Sequence, residues 1–270
     1  MVIPERFTRN VDAHLLGNYL GIDHFPLILV ISGKPGAGKT YQLRNYLGAI
    51  DVSPFSISAA DLESFQAGRP AKLIQEKYIS ASSRISEGKP TALLIDDIDT
   101  TLGEWENNTG TVNHQTILAF LMHIADNPIY IDGFGEVNRV PIFFTGNNID
   151  RLYAPLMRKG RACHFIWEPT RSEKAQIIKS LYKLDSIDAA IELVDLFPEE
   201  SMSFFSNMLS SRKVNALAET AKNVVFSRVI NQSDYRERIL NDFIEISESE
   251  VVKGIIRDAK QYSNYRALHF

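Results

Sequence analysis

The chain has 270 residues, 44% of them hydrophobic and 23% charged, which suits a globular protein made of one large domain or of a medium domain with a smaller one. A formal net charge of -4 disfavours nucleic acid as a partner, because that ligand selects a basic surface. The lone cysteine, Cys163, excludes an internal disulfide and a cysteine-built zinc site, and with no signal-like core and no apolar run of membrane-spanning length a cytoplasmic protein without a membrane partner is expected.

In chain order, residues 4 to 20 place Phe7, Val11, Leu15 and Tyr19 four apart, a helical stripe that Gly21 closes. The apolar run from Phe25 to Ile31 has strand length. It leads into Gly33-Lys34-Pro35-Gly36-Ala37-Gly38-Lys39-Thr40, which fits the phosphate-cradling pattern G-x-x-x-x-G-K-[ST] at every fixed position. The glycines let backbone N–H groups curl around phosphates without side-chain bulk; Lys39 adds a point charge and Thr40 a hydroxyl ligand for Mg²⁺. Residues 41 to 47 continue as a helix that stops at Gly48, so the loop sits between a strand and a helix, the setting such a site needs.

Farther on, 54 to 58 is predicted as a short strand, and Ala71, Ile74, Tyr78 and Ile85 mark one face of a helix closed by Gly88 and Pro90. Strands are predicted at 91 to 95, 140 to 145 and 164 to 167, with a buried helix at 117 to 125 and loops at 101 to 114 and 129 to 139. Strands alternating with helices imply a parallel sheet covered on both faces, with the ligand site at the strands' carboxyl ends. Beyond Glu168-Pro169-Thr170 the segments around 172–183, 187–196, 200–210, 213–231, 234–244 and 247–262 read as helices. The expectation is an α/β nucleotide-binding domain over residues 1–168 and a small helical domain over 169–270.

The phosphate loop needs partners. Asp96 and Asp97, at the end of the 91–95 strand, fit a carboxylate that holds Mg²⁺ through water and a second that orients or deprotonates the attacking water, although paired Asp after a strand also cap helices. Asn147, ending the next apolar strand, is either a positioner of the same water or a turn residue. Arg158 and Arg161 are either solvated surface charges or arginine fingers that act on a neighbouring subunit's site.

In this order the motifs resemble an AAA+ ATPase domain followed by its helical lid, and more narrowly the Rubisco activase family. The similarity runs from about Arg6 to past Arg212, and its most specific stretches are Met122 to Pro128 and Leu152 to Arg161. The resemblance implies a five-stranded parallel AAA+ sheet, a hexameric ring with ATP and Mg²⁺ at subunit interfaces, and remodelling of Rubisco to release inhibitory sugar phosphates. It implies nucleotide contacts at Gly33, Pro35, Gly36, Ala37, Gly38, Lys39, Thr40, Tyr41 and Asp96, and metal binding at Thr40 and Asp96. Asp97, Asn147, Arg158 and Arg161 would carry catalysis, and Arg212 would be the lid's nucleotide sensor. Pore loops would lie at Leu62 to Pro70, 101–114 and 129–139. The chain departs from the family in having Asp96-Asp97 where activases carry Asn-Asp, in placing Phe65 in the first pore loop, and in having one lid arginine where the family has two. Remodelling of a different protein client, or nucleotide-gated scaffolding with slow turnover, are the alternatives.

Overall fold

The computed structural model describes residues 2–62, 66, 68–99, 112–148, 154–222, 224–241, 254 and 257. Two compact units divide the chain: Glu5–Glu168, and Pro169–Phe270 together with Met1–Pro4. Val2, outside the first unit, donates its backbone N–H to Ser180 Oγ.

The first unit is a parallel α/β layer structure. Helix α1 (Glu5–Tyr19) precedes strand β1 (Ile28–Ser32), followed by α2 (Lys39–Ala49), β2 (Ser53–Ile57), a short α3 (Ala59–Leu62), α4 (Arg69–Ser86), β3 (Thr91–Ile95) and α5 (Val112–Asp126). A hairpin of β4 (Tyr130–Ile131) and β5 (Gly135–Glu136) comes next, then β6 (Ile142–Gly146) and β7 (Ala162–Ile166). The main sheet has five parallel strands in the order β2-β3-β6-β1-β7. The expected α/β class and five-stranded sheet are therefore present. Strands β1, β3 and β6 are buried at every position, which is why their sequences run apolar instead of alternating.

Register carries this architecture to the site. Ser32 pairs with Gly146 and Ile166, and Ile95 with Phe144 and Ile57, so the residues that follow these strands emerge along one edge. One sheet face packs Ile28, Val30, Leu93, Ile95, Ile142 and Phe144 against Ile74 and Tyr78 of α4 and Ile117, Leu121 and Ile124 of α5. The opposite face meets α1, whose His14 ring stands edge-on to Phe143 with centroids 5.0 Å apart.

The sequence reading differs from the structure in several places. The 129–139 segment contains a hairpin whose strands are two residues long, too short for any periodicity; the Asp132-Gly133 dipeptide between them was its available signal. Helix α5 starts at Val112, inside the expected loop. In the second unit, α6 (Arg171–Leu181) and α7 (Ile187–Leu196) lie close to expectation, but α8 (Met202–Ala221) runs through the expected break near residue 211. Ser210-Ser211 lacks glycine and proline, and serine alone lowers helix propensity too little to stop a helix. Helix α9 (Phe226–Asn231) follows, and residues 233–241 are helical. Thr170 caps α6 through a capping box with Glu173, a Thr-x-x-Glu signature. Among the described residues no helix is long and apolar enough to cross a membrane.

Polar groups under α1 also stabilise the first unit. Arg139 donates to Asn18 Oδ1 at 2.7 Å and to the Ile22 and Phe25 carbonyls, while Asn18 Nδ2 donates to the His14 and Pro26 carbonyls. His14 is 2% exposed, and its Nε2 donates to the Ile142 carbonyl at 3.2 Å, which makes it a neutral Nε2–H tautomer. Burial first, then the Arg139 charge, pushes its pKa from 6.5 down to about 3. The unfolded chain therefore binds a proton that the folded one refuses, so stability is full above pH 6.5 and falls as pH drops toward 3. A single such group costs about 1.4 kcal/mol per pH unit in that window. Urea unfolding at pH 7.5, 6 and 5 is expected to show a shallower decline for His14→Gln than for the parent chain; equal slopes would exclude the burial of a neutral His14.

Candidate functional site

The loop of residues 33–38 starts where β1 ends. Gly33 has φ +153°, and a Cβ there would lie 2.1 Å from the Trp167 carbonyl oxygen, so any side chain would force the loop off β7's extension. Gly36 and Gly38 take φ of 75° and 84°, and Gly38 is the N-cap of α2, whose first N–H groups and positive dipole end face an anion arriving at the loop. Trp167 braces the loop from behind. Its indole Nε1 donates to the Ala37 carbonyl at 3.0 Å, and its ring is fully buried edge-on to Phe7 at 4.9 Å. Arg6 lies 4.9 Å from the Trp167 ring and donates to the Glu168 and Ile166 carbonyls. Pro35 and Tyr41 stand exposed at the loop and on the first turn of α2.

Lys39 is 6% exposed, and its ammonium donates to the Gly33 carbonyl at 2.9 Å, the Lys34 carbonyl at 3.2 Å and Asn147 Oδ1 at 2.8 Å. These are three neutral acceptors for three donors, an arrangement that holds the charge with no carboxylate in direct contact. Burial lowers its pKa, and the nearby Asp97 and Asp99 charges oppose that shift. Thr40 shares a hydrogen bond with Thr145, 3.1 Å between hydroxyls, and Thr145 Oγ1 donates to Asp96 Oδ1 at 3.0 Å. Arg44 Nη2 contacts Asp96 Oδ2 at 2.6 Å.

Asp97 sits at φ 51°, a left-handed conformation that costs a non-glycine residue about 1 kcal/mol and is characteristic of functional turns. Its N–H donates to Thr145 Oγ1 at 3.3 Å. Loss of water around the carboxyl raises its pKa first, the Asp96 and Asp99 charges add to the rise, and Lys39 opposes it. A carboxylate raised in this way is a better proton acceptor than a free one.

Asp99 was not singled out from the sequence. It is 8% exposed, and its Oδ2 accepts from the N–H groups of both Asn147 and Asn148 at 3.0 Å, which fixes the turn that carries Asn147. Its Oδ1 is buried with no partner, and a Cβ on Gly146 would approach that oxygen to 2.8 Å, so the close approach needs glycine. The third carboxylate of Asp96-Asp97-Ile98-Asp99 was the available sequence signal.

Arg158 is exposed on the turn before β7. Arg161 is not a free cation: it grips Asp126 through two 2.6 Å contacts and donates to the Pro155 carbonyl at 2.7 Å. Its guanidinium holds the Asp126 carboxyl below the usual range. Arg212 belongs to α8 of the second unit. Phe65 and nearly all of the 101–114 loop lie outside the described residues, as does part of Leu62 to Pro70; the 129–139 segment is the β4-β5 hairpin, with Phe134 56% exposed.

These residues fit a nucleotide with a divalent cation. The glycine loop leaves room for phosphates, Lys39 supplies a buried charge, and Thr40, Thr145 and Asp96 supply hard oxygen donors. Among the described residues no three His, Cys, Asp or Glu side chains form a metal cage, which suits an ion that takes most ligands from phosphates and water.

A five-stranded parallel sheet with this loop and carboxylate pair defines a nucleoside-triphosphatase class. The sequence model of the ATPase family associated with various cellular activities (AAA) matches residues 29–170, and the chain belongs to that family. It is similar to the chloroplastic ribulose bisphosphate carboxylase/oxygenase activase of Zea mays, 40% identical over 213 residues, covering 75% of this chain and 49% of that protein. The chloroplastic activase 1 of Larrea tridentata and the chloroplastic activase of Spinacia oleracea are each 39% identical over 213 residues, 75% of this chain and 45% of theirs. The chain is therefore an activase-like member of this ATPase family, and it spans about half the length of these relatives.

Gly33→Ala is expected to lose about 2–4 kcal/mol in denaturant unfolding, because the added methyl meets backbone and not a movable side chain. Unchanged stability would mean that the Gly33–Trp167 approach is looser than described.

Proposed function

We propose that the chain is an ATP-hydrolysing remodelling motor that works as a ring, most simply a hexamer, with Rubisco as its protein client. The observation that carries the ATPase chemistry is the buried Lys39 ammonium, held by the phosphate loop and Asn147 with the Asp97 and Asp99 charges nearby. The client rests on the names of the relatives. Release of inhibitory sugar phosphates and a cytoplasmic location belong to the same proposal.

Lys39 leaves its carbonyl and amide acceptors for the β- and γ-phosphates, and the loop N–H groups take the remaining phosphate oxygens. Mg²⁺, held by Thr40 and by Asp96 through water, would neutralise charge between those phosphates when bound. Asp97 takes the proton of the attacking water, and the Asn147 amide, released by Lys39 and still fixed by Asp99, orients that water. Arg158 reaches a neighbouring subunit's γ-phosphate, while Arg161, clamped by Asp126, shapes the turn that presents it. Arg212 is assigned to the lid's response to nucleotide.

Lys39→Ala is expected to lower turnover by about a hundredfold or more, measured as phosphate release. Arg158→Ala should leave nucleotide affinity within about twofold and lower hydrolysis by about a thousandfold. Mixing Arg158→Ala with Asp97→Asn subunits should restore part of the rate, because each damages a different half of a shared site. Equal rates for mixed and unmixed variants would sink the intersubunit role. For the client, sugar-phosphate-inhibited Rubisco is incubated with the protein and ATP, and carboxylation is followed; recovery is expected. Intact ATP hydrolysis without recovery would redirect the proposal to another client, and negligible hydrolysis with intact assembly would favour a nucleotide-gated scaffold.

A further inference from the structure

Arg44 has no part in the site as read from the sequence, yet its guanidinium holds one oxygen of the carboxylate assigned to the metal. It lies one turn beyond Thr40 on α2 and reaches across to Asp96 at the end of β3. Both oxygens of Asp96 are thereby engaged: Oδ2 accepts from Arg44 at 2.6 Å and Oδ1 from Thr145 at 3.0 Å, and its side chain is 14% exposed against 44% for Arg44. Thr145 ties this carboxylate to Thr40 and to the backbone of Asp97. Asp97 and Asp99 follow within three residues, so this edge of the sheet gathers negative charge, and Lys39 touches none of the three carboxylates directly. Arg44 is in direct contact with Asp96.

We propose that Arg44 is a positioning residue of the metal subsite: it serves as the counter-ion of Asp96 until a divalent cation enters and yields the Asp96 Oδ2 oxygen to that cation's water shell. This rests on the assignment of Asp96 to the metal. A guanidinium beside that carboxylate repels an incoming dication, and it also keeps the carboxylate in place while the cation is away. Affinity for the metal is thus set below what Asp96 alone would give.

The test titrates Mn²⁺, a paramagnetic stand-in for Mg²⁺, into the full chain saturated with ADP, with free Mn²⁺ counted by electron paramagnetic resonance. Arg44→Gln is expected to bind Mn²⁺ about three- to tenfold more tightly than the parent chain, and Arg44→Lys to stay within about twofold of it, because lysine retains the charge. The gap between parent and Arg44→Gln should shrink as NaCl is raised, since Arg44 is partly exposed. Unchanged or weaker Mn²⁺ binding in Arg44→Gln overturns the counter-ion role. A parallel Asp96→Asn titration separates the two layers: if that variant binds Mn²⁺ as the parent does, the metal assignment of Asp96 itself fails, and the inference with it. If Asp96→Asn weakens binding while Arg44→Gln leaves it unaltered, only the Arg44 role is lost.

Discussion

The interaction on which the site depends is the burial of the Lys39 ammonium among neutral oxygens. A cation removed from water needs three acceptors in place before it arrives, and here two come from its own loop and one from Asn147 on the neighbouring strand. Each acceptor imposes a further condition. The loop carbonyls turn inward because Gly33, Gly36 and Gly38 adopt backbone angles that other residues avoid. Asn147 is in reach because β1 and β6 pair in register up to Ser32 and Gly146, and because Asp99 grips the two N–H groups that follow. The charge stays available because its partners are dipoles: a direct carboxylate contact would hold it more firmly against transfer to a phosphate.

The rest of the first unit keeps that geometry from relaxing. Trp167, the residue after the edge strand, pins the loop at Ala37, and α1 covers Trp167 with Phe7 and Arg6. The same helix presents His14 and Asn18 to the far end of the sheet, where Arg139 gathers the Ile22 and Phe25 carbonyls. These buried polar groups are each satisfied by backbone, so they fix the angle of α1 at the cost of tolerance to acid. A helix predicted only from four apolar residues at intervals of four thus links the two ends of the strands.

The fold class and the loop were legible because they depend on local pattern. Apolar runs of strand length, a glycine-rich turn and an amphipathic helix are written within about ten residues each, and the family resemblance followed from their order. Asp99, Arg44 and the partner of Arg161 were not legible, because each acts through a residue 35 to 52 positions away. Nothing near Arg161 announces Asp126; the pairing exists only once α5 and the turn before β7 are folded. The β4-β5 hairpin escaped for the opposite reason, being too short for any period to show. The helix break placed near residue 211 failed because two serines do not oppose a helix as glycine or proline would.

Trp167 has one further consequence. An indole sealed from solvent, hydrogen-bonded to the carbonyl of the loop's own Ala37 and stacked near a guanidinium, has its excited state set by that carbonyl's position. A rearrangement of the loop that moves the Ala37 carbonyl changes the field along the ring. The protein therefore carries a native optical gauge of its phosphate loop, placed just after β7, one of the sheet's two edge strands.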